Sequence, residues 1–109
     1  MTSVKFLAEE NLYGFEISGH SSRDCDDQMG KIVCAAVSSA AYMAANTVTD
    51  VIGDEAEVSV DEAKMVFVCK KPSDATVKVL EGLRLHLIAL SEDYSNNIKI
   101  SGGAKNVKD

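Results

Sequence analysis

Two side chains in this sequence have the types needed to open and close an acyl bond. His20 follows Gly19, and Cys34 stands in the run Ile32-Val33-Cys34-Ala35-Ala36-Val37-Ser38. A cysteine attacks a carbonyl as thiolate. A free thiol titrates near pH 8.5, so only a few per cent is ionised at pH 7. Each unit of downward shift takes about 1.4 kcal/mol. A helix N-terminus favours negative charge, and a nearby imidazole can take the thiol proton. The chemistry this pair suggests is nucleophilic attack by Cys34 with His20 as base, and N–H groups around Gly30 to Cys34 are the expected donors to an oxyanion.

The surrounding elements must bring the two together. Residues 3–8 and 12–19 read as strands; the second alternates Tyr13, Phe15 and Ile17 on one side. The polar link Glu9-Glu10-Asn11 makes them a hairpin that delivers His20 at its end. Residues 20–30 carry Ser, Asp, Gln and Gly with almost no apolar content and read as a loop. A helix is expected over 31–52, opened at Gly30, with Cys34 in its first turn and Gly53 as its stop. Its alanines favour helix, and apolar residues nearly all round predict deep burial. Strands follow at 55–60 and 65–69. Ser73 is a good N-cap for a second helix reaching about Tyr94, with an apolar stripe of Val77, Leu80, Leu83, Leu87 and Leu90. A short strand at 98–100 precedes a polar tail opened by Ser101-Gly102-Gly103. The expected fold class is α+β: a mixed β-sheet with two helices packed on it, order ββαββαβ, as a single domain over residues 1–109.

Composition narrows the function. The formal net charge is −6, with 17 acidic against 11 basic side chains. That argues against direct nucleic-acid binding, which needs clustered Lys and Arg, and suits a basic protein partner. The apolar run from Ile32 to Ile52 is interrupted by Ser38, Ser39, Asn46, Thr47, Thr49 and Asp50, so a buried helix is expected rather than a membrane span. Three irregularly spaced cysteines, Cys25, Cys34 and Cys69, and no recognisable secretory signal fit a reduced, cytoplasmic protein. Cys25, His20 and the carboxylates of Asp24, Asp26 and Asp27 match no zinc spacing, so no metal is assigned. Cys69 reads as core packing, His86 as a boundary residue of the second helix, and Lys70-Lys71 as a solvated strand end.

Gly19-His20, Gly30 and the Ile32–Ser38 run together resemble the signature of the ribosomal-processing cysteine protease family (Prp, or YsxB-like). The resemblance extends over essentially the whole chain in length and element order. It implies a small homodimeric endopeptidase, without cofactor, that removes the N-terminal extension of a large-subunit ribosomal protein. It implies His20 and Cys34 as the catalytic pair. Ser38, one turn beyond Cys34, could orient the site. Lys31 stands where that family usually has an acid, and Ser21 where it often has alanine; Asp24, Asp26 or Asp27 could supply the carboxylate from the loop. The rival readings are a non-catalytic ribosome-associated binding protein, with Cys34 as core, and a redox or metal role for Cys25 and Cys34.

Overall fold

The computed structural model describes residues 1–19 and 28–103. β1 (Thr2–Ala8) and β2 (Leu12–Ser18) form the expected hairpin, with Val4 opposite Ile17 and Phe6 opposite Phe15. Helix α1 (Gln28–Asn46) runs on into a π-helical segment, Thr47–Ile52. β3 (Glu57–Val60), β4 (Lys64–Val68), α2 (Asp74–Asp93) and β5 (Ile98–Gly102) follow. The sheet order is β3-β4-β2-β1-β5; β5 lies parallel to β1, and every other neighbour is antiparallel. The mixed sheet, two helices and ββαββαβ order are those predicted.

Strand alternation sorts the sheet into two faces. Val4, Phe6, Phe15, Ile17, Met65 and Phe67 point to one side and are buried there with residues of both helices. The rings of Phe15 and Phe67 stack 5.2 Å apart at 10°. Burying each such ring contributes roughly 1.5–3 kcal/mol. The other face is the wet one, with Lys5, Glu16, Lys64 and Lys99 in register positions opposite the core residues; Lys64 pairs with Glu16 at 3.8 Å.

Helix α2 packs on β2 and β5. The helix-side residues of β4, Met65 and Phe67, are nonetheless almost fully buried in one cluster with Val33, Val37, Ala41 and Ala44 of α1. Helix α1 therefore covers the β4 side of the sheet. Its far end is pinned by Asp54, whose carboxylate accepts from the Ser73 N–H (2.9 Å), Ser73 Oγ (2.8 Å) and Thr76 Oγ1 (2.6 Å). Ser73 Oγ in turn accepts from the Thr76 N–H, capping α2 as the sequence predicts. These hydrogen bonds hold the Asp54 carboxyl below the usual aspartate range.

Several expectations need correction. Helix α1 begins by Gln28, so Gly30 lies within its first turn and does not open it; glycine is a common C-terminal stop and a weaker start signal. Cys34 accordingly sits in the second turn. The helix also changes winding before it ends. Thr47 and Thr49 return their hydroxyls to the carbonyls of Met43 and Ala45 (2.7 and 3.1 Å), and both Gly53 and Asp54 N–H groups reach the Val48 carbonyl. Gly53 does stop it, at φ 90°. Deep burial all round is not observed: Ile32, Tyr42, Met43 and Val51 are exposed at 55, 42, 65 and 79%. By length and composition the stretch Gln28–Ile52 is apolar enough to cross a bilayer, contrary to the sequence reading; packing against the sheet is what makes it a core helix. Finally, Ser101 and Gly102 belong to β5, where the Gly102 carbonyl accepts from Arg84 Nε at 3.4 Å.

Candidate active site

The end of β2 is fixed by backbone geometry. Gly19 has φ 73°, its N–H donates to the Ala63 carbonyl at 3.0 Å, and a Cβ there would lie 2.5 Å from the Met1 carbonyl oxygen. Only glycine accepts that combination without strain. The contact with Ala63 sets the exit of β2 beside the turn between β3 and β4. His20 follows directly, but it lies outside the described residues, as do Cys25, Ser21 and the aspartates 24, 26 and 27.

Helix α1 brings Cys34 towards the same end of the sheet. Asp54, just past the π segment, bonds Ser73, and nearby Cys69 donates its N–H to the Tyr13 carbonyl at 2.8 Å at the start of β2. The C-terminal end of α1 therefore meets the start of β2, and its N-terminal end lies towards Gly19. Around the helix axis, Ala40, Met43, Ala44 and Thr47 face α2, lining with Val79, Gly82, Leu83 and His86 an apolar groove of about 240 Å³. At 100° per residue, Cys34, Ser38 and Tyr42 fall on the opposite flank, over the sheet on the β3 side. Cys34 is 6% exposed, Ser38 half-buried and Lys31 exposed on the same flank.

Second-turn placement changes the electrostatic argument for Cys34. The dipole's influence decays within the first turn. The N–H groups of Ile32 to Cys34 are committed to the helical ladder, so oxyanion donors must come from before Ile32, not from the whole stretch from Gly30 to Cys34. Cys69 is a different kind of thiol. It is fully buried, and burial pushes its thiol up, with the Asp54 charge adding to the effect. That matches its expected role as packing. His86 is exposed at the rim of the α1–α2 groove, and Lys70 pairs in solvent with Glu57 at 3.6 Å. Among the described residues no three His, Cys, Asp or Glu side chains gather as they would around a metal.

The family model described as cysteine protease Prp matches residues 1–99. The chain belongs to that family. It is a cysteine protease, which sets aside the reading of a non-catalytic binding module. Solved structures agree on the fold of this Prp-family chain. SMU.848 from Streptococcus mutans superposes with a TM-score of 0.81 at 21% identity, covering 94% of this chain and 98% of its own. The essential ribosomal processing protease Prp from S. aureus, in complex with a substrate peptide, gives 0.83 at 17% identity, covering 94% and 99%. The same S. aureus protein with a covalently linked product peptide gives 0.76 at 18%, again covering 94% and 99%. No match was found among curated proteins.

Sequence reasoning named the Cys34 flank, Gly19 and Ser38 and missed two things. It passed over Asp54, which ties the end of α1 to the start of α2. It also gave no role to β3, whose four residues are all exposed. The signal for the second was present: an alternating strand flanked by acids, with only two small apolar residues, Val58 and Val60, on its core-side register.

Proposed function

We propose that this protease removes the N-terminal extension of a large-subunit ribosomal protein, with Cys34 as nucleophile and His20 as its base. The observation that carries the reading is the family match over residues 1–99 on a chain whose Ile32–Ser38 run sets a cysteine on the sheet-side flank of α1. Cys69 is the poorer nucleophile of the two described cysteines, because it is sealed in the core and its thiolate is disfavoured. The peptide complexes of the S. aureus relative support a peptide substrate.

The course is acyl transfer. His20 takes the Cys34 proton, and the thiolate attacks the scissile carbonyl, forming a C–S bond. N–H groups ahead of Ile32 steady the oxyanion. The C–N bond then breaks, and the His20 imidazolium protonates the departing amine. Water, deprotonated by His20, hydrolyses the thioester and returns Cys34. Ser38 and Gly30, one turn to either side of Cys34, support the geometry of this stretch of helix, and Gly19 sets the direction in which the chain leaves β2. Lys31, where the family usually has an acid, favours the thiolate by charge and cannot orient the imidazole.

The enzyme works as a homodimer in the cytoplasm on a protein substrate, without contacting nucleic acid. Incubation with the extended ribosomal protein, followed by mass spectrometry, tests the reading: one cut releasing the extension is expected, and none from Cys34→Ala. Normal cleavage by Cys34→Ala would overturn the choice of nucleophile. Sedimentation at micromolar concentration tests the dimer.

A further inference from the structure

We propose that the substrate backbone docks as an added strand on the outer edge of β3, its side chains resting on Val58 and Val60. The inference rests on the peptidase reading above. Asp61 donates its N–H to the Lys64 carbonyl at 2.9 Å, and Val58 and Val60 stand opposite Phe67 and Met65. Backbone bonding alternates along an antiparallel pair. Asp61, Ser59 and Glu57 therefore bond to β4, while the N–H and C=O groups of Val58 and Val60 point away from the sheet. The other side of β4 gives the same phase. Cys69 N–H to Tyr13, and Gly19 N–H to Ala63, assign the ladder groups of Phe67 and Met65 to β2, leaving Val66 and Val68 for β3. Among the described residues no strand pairs with the outer side of β3.

The side chains form a shelf beside the nucleophile. Val58 and Val60 lie on the helix side of the sheet, yet are 45 and 47% exposed, whereas their partners Phe67 and Met65 are buried. Helix α1 covers β4 and stops short of β3. Its flank facing this gap is the one that carries Cys34 and Ser38. The shelf ends at the β3–β4 turn, where Ala63 holds Gly19. A chain lying along β3 and leaving the shelf there passes the end of α1 that bears the thiol.

Charge selects the occupant. Asp54, Glu55 and Glu57 precede the valines, and Asp61 and Glu62 follow them. Asp54 is held by Ser73 and Thr76 and Glu57 pairs with Lys70, but five acids still outnumber the nearby Lys64, Lys70 and Lys71. The strand itself has no Lys or Pro, the residues that commonly blunt an exposed edge. The fitting partner is an extended peptide with small or branched apolar residues at alternate positions and Lys or Arg on either side. Main-chain bonds would supply affinity, and alternate side chains the selectivity.

The test uses the full chain as Cys34→Ala and a synthetic peptide of the ribosomal protein's N-terminal extension that continues past the cleavage junction. The peptide should slow amide exchange at Val58 and Val60 by about tenfold or more, and N-methylation of one alternate set of its amides should weaken binding by about tenfold. Methylating the intervening set should leave binding unchanged. In the active chain, Val58→Pro, whose lost N–H faces outward, should raise KM and leave kcat. Cleavage with unchanged exchange at both valines, or equal effects of the two methylated sets, overturns edge docking and leaves the peptidase reading standing. A wild-type chain that neither binds nor cuts the peptide overturns both. Valine amides already protected in the free protein, and released on dilution, assign the edge to a second copy and overturn the proposal.

Discussion

Cys34 and Cys69 offer a comparison within one molecule. Both are buried, but Cys69 is closed on every side, and burial together with the Asp54 charge keeps its proton on. Cys34 sits at the edge of the covered region, on the flank that faces β3. In a Cys25→Ser chain, alkylation by iodoacetamide should therefore single out Cys34 at pH 7, with Cys69 modified only after unfolding; peptide mapping reads the site. His20→Ala should move the onset of Cys34 alkylation to higher pH and cut turnover by about 10²-fold or more, the scale of a positioned general base. Alkylation of Cys34 that His20→Ala leaves unchanged would remove the imidazole from the proposed pair. Asp54 supplies the other residue-scale prediction. Its carboxyl is depressed by the bonds from Thr76 and Ser73. A depressed carboxyl contributes stability above its unfolded value near 3.8 and loses it as pH falls through the lower folded value. Asp54→Asn should thus lower the urea midpoint at pH 7, and the gap from wild type should close below about pH 4. A gap of equal size at pH 7 and pH 2.5 would show that the charge is not what holds the two helices. The helical placement of Cys34 was legible because a helix-forming run surrounds it. Asp54 was not, because its partners are 19 and 22 positions away and no local pattern announces them.

The helices show which signals a sequence carries well. Ser73 was legible as an N-cap because the cap bonds within four residues, and the leucine stripe of α2 follows the helical period through Leu80, Leu83 and Leu87. The start of α1 was not, because Gly30 reads as a break and the run 20–30 as one polar loop, so the N-cap type that Asp27 offers was passed over. The π segment was also hidden; it goes with Thr47 and Thr49 hydroxyls bonding one turn back and with the Val48 carbonyl accepting from Gly53 and Asp54 further on. Burial of α1 was overestimated for a related reason. Where a helix is apolar nearly all round, periodicity cannot say which apolar residues stay outside, as Ile32 and Met43 do. The same helical geometry makes α2 improvable. Gly82 lies mid-helix with nothing within 4 Å of the position a Cβ would take. Gly82→Ala should therefore stabilise the protein by about 0.5–1 kcal/mol, read as a higher denaturant midpoint at constant m. A fall in the midpoint would mean that the groove beside Val79 and Leu83 needs the gap.

At the scale of the whole molecule, topology and charge act together on the substrate. The strand order was only partly legible: hairpin links put β1 beside β2 and β3 beside β4, but nothing local joins β4 to β2 or β5 to β1. Those pairings come from burying Phe15 against Phe67 and Ile98 within the common cluster. They also leave β3 at an edge, with its acids around it and a net charge of −6 behind it. Such a field raises the encounter rate with a basic peptide and is screened over about 8 Å at physiological salt. Cleavage of a Lys-rich substrate should therefore slow as salt rises, through kcat/KM, with kcat nearly constant. Most of the change should fall between 50 mM and 500 mM, where the screening length shrinks from about 14 Å to about 4 Å. Glu57→Lys and Glu62→Lys together should weaken the salt dependence and lower kcat/KM at low salt, leaving kcat in place. Both positions are exposed. A kcat/KM that is flat in salt for the wild-type chain would mean that apolar contacts alone bring the peptide in, and that the acids around β3 serve solubility.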